Sequence, residues 1–527
     1  MMNEYQQTLK MVNSLRQTEN GATGFSTTGN NLVDLNFTVP SNHDNVNEED
    51  IKKFVQVLKN DLVTGVKWMF YLRDVREGLG ERDSFVSFFW ALNAYNQEAA
   101  LAVLPLIPEY GRWKDVIDIL AGVPDDSPLA NYIYSLIEKQ VKEDVSNMAL
   151  GKSVSLLAKW LPSVNASKRS RTLARRIARK LVLTFENYRK MLSALRQYID
   201  VTEVKTCGDN WKEIDYNKVS SNANARYVKA FMKHDPERRQ KYLDALSSPV
   251  PVGAVMHAAN LYPYEVYCKY TKYNSNSWSN RIAQAVEDQG VEALWKNLKD
   301  IPSVGNTMVV VDGSGSMETS IKGSKAMAID IARSLGVYFS ERCTGEFKDK
   351  VIEFSKSPRF IDLTGCWSLA DKYNVLREYT DCSNTNLEKV FDLLLVTAIN
   401  NKMSQDDLPK RILVVSDMEF DAATTIRGYG QHFHIMEQYK TLFQTIKDRW
   451  TATGYTMPEI VFWNVNSRTQ TIPVTSNEAG VILVSGFSVN NVNMILSGEI
   501  NPWTALKSVL DSERYQPVGK ILSKEGK

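Results

Sequence analysis

Five residues, Asp312, Ser314, Ser316, Thr385 and Asp417, have the types and spacing to hold a hard divalent cation. The run 307–311 is short, apolar and β-branched, as a buried parallel strand requires, and it ends in Asp312-Gly-Ser-Gly-Ser316. A second run of the same kind, 411–416, ends in Asp417. Between them Asn384-Thr385-Asn386-Leu387 opens a helical stretch and offers a hydroxyl. In an open α/β sheet the functional crevice lies beyond the carboxyl ends of the strands, where these residues fall. Oxygen donors from carboxylates and hydroxyls suit Mg²⁺ or another hard divalent cation, which prefers near-octahedral oxygen coordination and keeps some water. Taken alone, the Ser/Gly turn is equally a plain strand–helix connection, with Asp417 capping the next helix; three elements in the right order favour the cation.

A second group has a different chemistry. Lys168, Arg169, Arg171, Arg175, Arg176, Arg179 and Lys180 fall within one stretch that contains no acid. On a helix Arg171, Arg175 and Arg179 share one face, while Leu173, Ile177 and Leu181 share another. Such a stripe can contact the phosphates of RNA, adding affinity without sequence readout; its simpler reading is a solvated helix face. Other candidates are weaker. His432 and His434 have no partnered cysteine or third histidine for zinc. Glu419 and Asp421 lie near the second strand end but are left out of the site, and Trp68, Trp113, Trp160 and Trp211 read as core anchors. There is no nucleophile–base arrangement and no Gly-rich phosphate loop, so a non-enzymatic protein is expected.

The elements that must position these groups occupy 527 residues, too long for one core. With 43% apolar and 24% charged residues the chain should fold throughout. A net charge of +2 names no partner. Five scattered cysteines without a Cys-x-x-Cys pair, no apolar run of membrane-spanning length and no leader-like start lead to the expectation of a cytoplasmic protein with reduced thiols and no membrane partner. Residues 1–50, rich in Asn, Thr, Ser and Gly, read as an irregular arm over the surface. Residues 51–302 keep helical periodicity, as in Ile51, Phe54, Val55 and Leu58, and predict an all-α array of stacked helix pairs, HEAT-like. Residues 303–527 alternate strand and helix and predict a doubly wound α/β domain, with strands at 307–311, 411–416, 460–465 and 481–485, and a further pair at 351–354 and 359–363.

Asp-x-Ser-x-Ser, a distant Thr and a later strand-end Asp resemble the metal-ion-dependent adhesion site of von Willebrand factor A domains. The resemblance implies that Ser314, Ser316 and Thr385 bind the ion directly, while Asp312 and Asp417 act directly or through water. A helical region followed by such a domain resembles the Ro ribonucleoproteins, whose telomerase–Ro–vault (TROVE) module forms an RNA-binding ring. The residues that carry this are Phe25-Ser-Thr-Thr-Gly-Asn30, Tyr71-Leu-Arg-Asp-Val-Arg-Glu-Gly-Leu-Gly-Glu-Arg82, Pro108-Glu-Tyr-Gly-Arg-Trp113, Ala158-Lys-Trp-Leu-Pro162, Phe462-Trp-Asn-Val465 and Ser485-Gly-Phe-Ser488. They are more similar to a sister group of Ro found in viruses, bacteria, fungi and plants than to Ro itself. The resemblance implies RNA as partner. Two other readings stand beside it: an adaptor whose metal accepts an acidic side chain from a protein partner, and, further off, a metal-dependent hydrolase. The charge-rich stretch 73–82 also reads as a helix corner held by ion pairs.

Overall fold

Strands that are apolar at every position need both faces covered, and helices on either side of a parallel sheet do this. The computed structural model describes residues 13–42, 46–248, 253–271, 284–321, 326–354, 357–378, 385–422, 441–499 and 501–525. Six of its eight strands form one sheet: β3 (Thr307–Asp312), β4 (Lys350–Phe354), β5 (Arg359–Asp362), β6 (Arg411–Ser416), β7 (Glu459–Asn464) and β8 (Val481–Ser485). Their order is β5-β4-β3-β6-β7-β8, parallel throughout except for β5, which pairs antiparallel with β4 at one edge. From β3 the chain moves to one side through β4 and β5, then returns to the other side as β6. The order therefore reverses between β3 and β6, and a crevice opens there beyond their carboxyl ends. Every residue of the helix Ala328–Ser340 is buried, and Gly336 lets it approach β3: a Cβ at that position would lie 2.5 Å from Val311 Cγ2.

The chain divides into two units, Met1–Val57 with Ser220–Val228 and Leu243–Ser512, and Leu58–Val219 with Lys229–Tyr242 and Glu513–Lys527. The first holds the sheet. This corrects the three-part division at 50 and 302. Residues 13–42 are no irregular arm: they form the hairpin β1 (Leu15–Gln17) and β2 (Thr23–Phe25) and the helix Asn31–Thr38. Phe25 exchanges backbone hydrogen bonds with Ile472, and Leu32, Val33, Leu35 and Phe37 are buried. The polar residues that looked like loop residues are bonded internally: buried Asp34 accepts from the Thr27 and Thr28 hydroxyls, and Asn30 caps the helix at the Leu32 and Val33 amides. Residues 243–302 also belong here, with Glu292 accepting from the Leu369 and Ala370 amides.

The second unit is helical, including Leu62–Arg73, Asp83–Tyr95, Trp113–Ala121, the 22-residue Pro128–Ala149, Lys168–Lys180 and Phe185–Tyr198. Its described helices vary from 4 to 22 residues. It also takes the last helix, Gln516–Glu525, whose Val518 is fully buried, and this separates 513–525 from the α/β domain expected to run to 527. The 73–82 stretch is a corner held by ions. Arg73 is fully buried and its Nη2 lies 2.6 Å from Asp115 Oδ2, while Arg514 Nε donates to Asp74 Oδ2 at 2.8 Å. Gly111 is required at this corner, because a Cβ would lie 2.4 Å from Asp115 Oδ2. Asp115→Asn is expected to destabilise the helical unit by about 3–5 kcal/mol, because it leaves the Arg73 charge buried without its counter-ion. Urea denaturation followed by circular dichroism measures this.

Candidate metal centre and cationic face

Residues 411–415 run beside 307–311 in register, so Asp312 and Ser416 end adjacent strands side by side. Ser416 Oγ donates to Asp312 Oδ2 at 2.5 Å, and the Ser314 amide to Asp312 Oδ1 at 2.9 Å. Gly313 has no room for a side chain, since a Cβ would lie 2.4 Å from Glu353 Oε1. Ser314 Oγ and Ser316 Oγ are 2.9 Å apart. Met418 takes a left-handed backbone, φ 64°, which costs a non-glycine residue about 1 kcal/mol. The bend is held by the Met418 amide donating to Ser416 Oγ at 3.0 Å and the Glu419 amide to Asp417 Oδ1 at 3.1 Å. Thr385 is fully buried and joins the loop after β6: the Asp421 amide donates to its carbonyl at 2.8 Å, and its own amide to Asp421 Oδ1 at 3.2 Å.

Asp312 and Asp417 are both fully buried. Burial pushes both carboxyls above the usual carboxylate range; the Asp312 charge adds to this at Asp417, while hydrogen bonds from Ser416 and Ser314 oppose it at Asp312. Asp417 Oδ2 receives no hydrogen bond, and the Arg468 guanidinium stands off from it, Nη2 lying 3.5 Å away. A buried carboxylate oxygen without a donor is costly, and a cation would satisfy it. Among the described residues no three His, Cys, Asp or Glu side chains gather at one place, so an ion here would depend on hydroxyls and water beside the two acids.

All five residues expected at the site therefore lie around the β3/β6 crevice: Asp312, Ser314, Ser316 and Asp417 in one cluster, and Thr385 on the adjoining loop. Glu419 belongs to its framework, accepting from the Arg468 and Thr469 amides at 2.9 and 2.8 Å and from the Glu19 amide at 2.9 Å. Glu419 was weighed at the sequence level and left out, whereas Ser416, Arg468 and Asn20 escaped it; of these only Ser416, a hydroxyl ending an otherwise apolar run, carried a local signal. His432 and His434 lie outside the described residues.

The helix Lys168–Lys180 buries Leu173, Ala174, Ile177 and Ala178, and exposes Lys168, Arg169, Arg171, Arg175, Arg179 and Lys180. Among the described residues no carboxylate pairs with Lys168, Arg169, Arg171, Arg175 or Arg179; Arg175 lies 5.6 Å from the Phe185 ring centroid. Arg176 differs. It turns inward, donating to Asp125 Oδ1 at 2.6 Å and to the Val123 carbonyl at 3.0 Å. Lys180 sits over the Tyr134 ring and donates to Asn131 Oδ1 at 3.2 Å. A groove of about 760 Å³ in the same unit, lined by Asn165, Tyr188, Arg189, Gln197 and Lys205 among others, contains none of the seven. Of the four tryptophans taken as core anchors, Trp68 and Trp113 are buried, whereas Trp160 and Trp211 are partly exposed.

Two domain families of unknown function match this chain. One (DUF7788) covers residues 306–516 and the other (DUF2828) residues 129–305. A protein of Acanthamoeba polyphaga mimivirus, "Uncharacterized protein L728", is 27% identical over 543 residues, 96% of this chain and 89% of that protein. Among solved structures, the Ro (RSR) protein of Deinococcus radiodurans aligns over 92% of this chain and 98% of its own, at 11% identity and a TM-score of 0.38, too distant to carry an argument. Among the described residues no helix is long and apolar enough to cross a membrane.

Proposed function

We propose that the protein is a non-enzymatic RNA-binding protein of Ro-like organisation, which holds RNA on its helical unit and Mg²⁺ or a similar cation on its α/β unit. The observation that carries the RNA reading is the face formed by Lys168, Arg169, Arg171, Arg175 and Arg179, exposed and without carboxylate partners among the described residues. Unpaired cations of this kind exchange condensed counterions for protein when they meet phosphates, which drives binding without base readout. The cation reading is supported by Asp417 Oδ2, buried in a cluster of oxygen donors without a hydrogen bond and with only the Arg468 guanidinium, 3.5 Å away, facing it. Ser314, Ser316 and Thr385 would hold the ion directly, Asp312 and Asp417 directly or through water, and the ion would supply a positive centre for an acidic group. The non-enzymatic reading rests on the sequence, which offers no nucleophile–base arrangement and no Gly-rich phosphate loop.

Protein purified at low salt is expected to carry nuclease-sensitive RNA, seen as a raised 260/280 nm absorbance ratio, and sequencing would identify that RNA. Protein free of nucleic acid that also fails to retain added RNA would overturn the reading. Capture of a protein partner only in Mg²⁺ would instead support the adaptor, which the orphaned carboxylate favours independently of the helical unit.

A further inference from the structure

The turn between β1 and β2 lies against the candidate cation site. Thr18 Oγ1 donates to the Phe420 carbonyl at 2.6 Å, the Ala22 amide to the same carbonyl at 3.3 Å, and the Ala422 amide to the Asn20 carbonyl at 3.1 Å. Asn20 Nδ2 donates to the Glu419 carbonyl at 2.6 Å and reaches Thr385 Oγ1 at 3.4 Å. The turn is thus seated on the loop that follows Asp417, with one side chain touching a hydroxyl assigned to the ion. Its acid, Glu19, places Oε2 2.6 Å from Arg468 Nη2. The same nitrogen is 3.5 Å from Asp417 Oδ2, the oxygen that receives no hydrogen bond. One guanidinium therefore stands between the carboxylate of the turn and the orphaned carboxylate of the site, bridging both as a cation.

We propose that Glu19 is the carboxylate ligand of the cation site, supplied by the chain itself, and that Arg468 is the counter-ion the divalent cation displaces. The proposal rests on the reading of Asp312, Ser314, Ser316, Thr385 and Asp417 as a cation site. A hard cation held by hydroxyls and few carboxylates keeps positions filled by water, and a further carboxylate nearby can take one of them. Glu19 suits this role because the Glu19 amide is fixed to Glu419 Oε2 at 2.9 Å while about half of its side chain stays exposed, held only by the Arg468 pair that the cation would break. A tethered carboxylate acts at an effective concentration on the order of millimolar, so a partner's acidic side chain has to displace it. The site would then clasp the N-terminal hairpin, and adhesion to a partner would follow only when the clasp opens.

Calorimetric titration of the full-length chain with MgCl₂ and MnCl₂ tests this with two variants of opposite expected sign. Glu19→Gln should bind both ions about tenfold more weakly, at the low end of what losing one supporting group at a metal site does. Arg468→Gln should bind them about two- to fivefold more tightly, the range that one partly exposed charge contributes. General damage to the fold weakens both variants and cannot produce the opposite signs. Hydrogen exchange gives a second readout: Mg²⁺ should protect the Glu19 and Phe25 amides in the parent but not in Glu19→Gln, the two being alike in chelator. Equal ion affinity in parent and both variants overturns the assignment of Glu19 and leaves the cation site standing. Failure of the parent to bind either ion overturns the cation reading and the clasp with it.

Discussion

Replacing Asp312 and Asp417 together by alanine is expected to abolish Mg²⁺ and Mn²⁺ binding in calorimetry, while the circular dichroism of the helical unit stays that of the parent. The loss should exceed about a hundredfold, since even a supporting group beyond the ligands is worth 10–100-fold in metal affinity. The helical unit is spared because neither residue belongs to it. Asparagine at the same positions separates charge from shape. Burial raises both carboxyl groups, so the folded state takes up protons more readily than the unfolded chain. Without a cation, the stability these groups contribute is full below the unfolded carboxylate range and is lost as pH rises through their raised folded values. In chelator at neutral pH, Asp417→Asn should therefore melt above the parent. In Mg²⁺ at a hundred times its Kd the parent gains about 2.7 kcal/mol that the variant lacks, and the order reverses. Unchanged ion affinity in a folded double variant ends the metal assignment.

The sheet was legible because a buried parallel strand leaves a continuous apolar, β-branched run. Expected strands at 307–311 and 411–416 lie within β3 and β6, and with them came Asp312 and Asp417 at the strand ends. The edge strand β5 had a weaker signal, since of Arg359–Asp362 only Ile361 is buried. What held no local signal was pairing between distant parts of the chain. Asn20 meets Glu419 399 residues away, and no periodicity in either segment announces the other. The N-terminal segment looked like loop because its Asn, Thr and Ser residues satisfy one another inside the fold, as around Asp34, and composition cannot distinguish that from solvation. Likewise the amphipathic helix Gln516–Glu525 shows that it has a face to bury but not which core receives it. The split within the basic stripe was closer to readable: Arg176 and Lys180 stand four residues apart on the flank toward Asp125 and Asn131, one step around the helix from Arg171, Arg175 and Arg179.

That split decides the second large effect. Arg171→Gln, Arg175→Gln and Arg179→Gln together are expected to weaken RNA binding and flatten its salt dependence, because each phosphate that an arginine neutralises releases condensed counterions. For single-stranded RNA the log–log salt slope should fall by about 0.7 for each phosphate no longer neutralised, and by about 2 for all three. All three side chains are exposed and have no carboxylate partner among the described residues, so their removal breaks no ion pair there. Glutamine keeps helix propensity and length, and Leu173, Ala174, Ile177 and Ala178 continue to hold the helix in place. Arg176→Gln is the control: it removes the same charge but also the bonds to Asp125 and Val123, so it should lower thermal stability and leave the salt slope nearly unchanged. If the triple variant keeps the parent's affinity and slope with unchanged circular dichroism, the stripe is a solvated face. RNA must then be held elsewhere or the RNA reading abandoned.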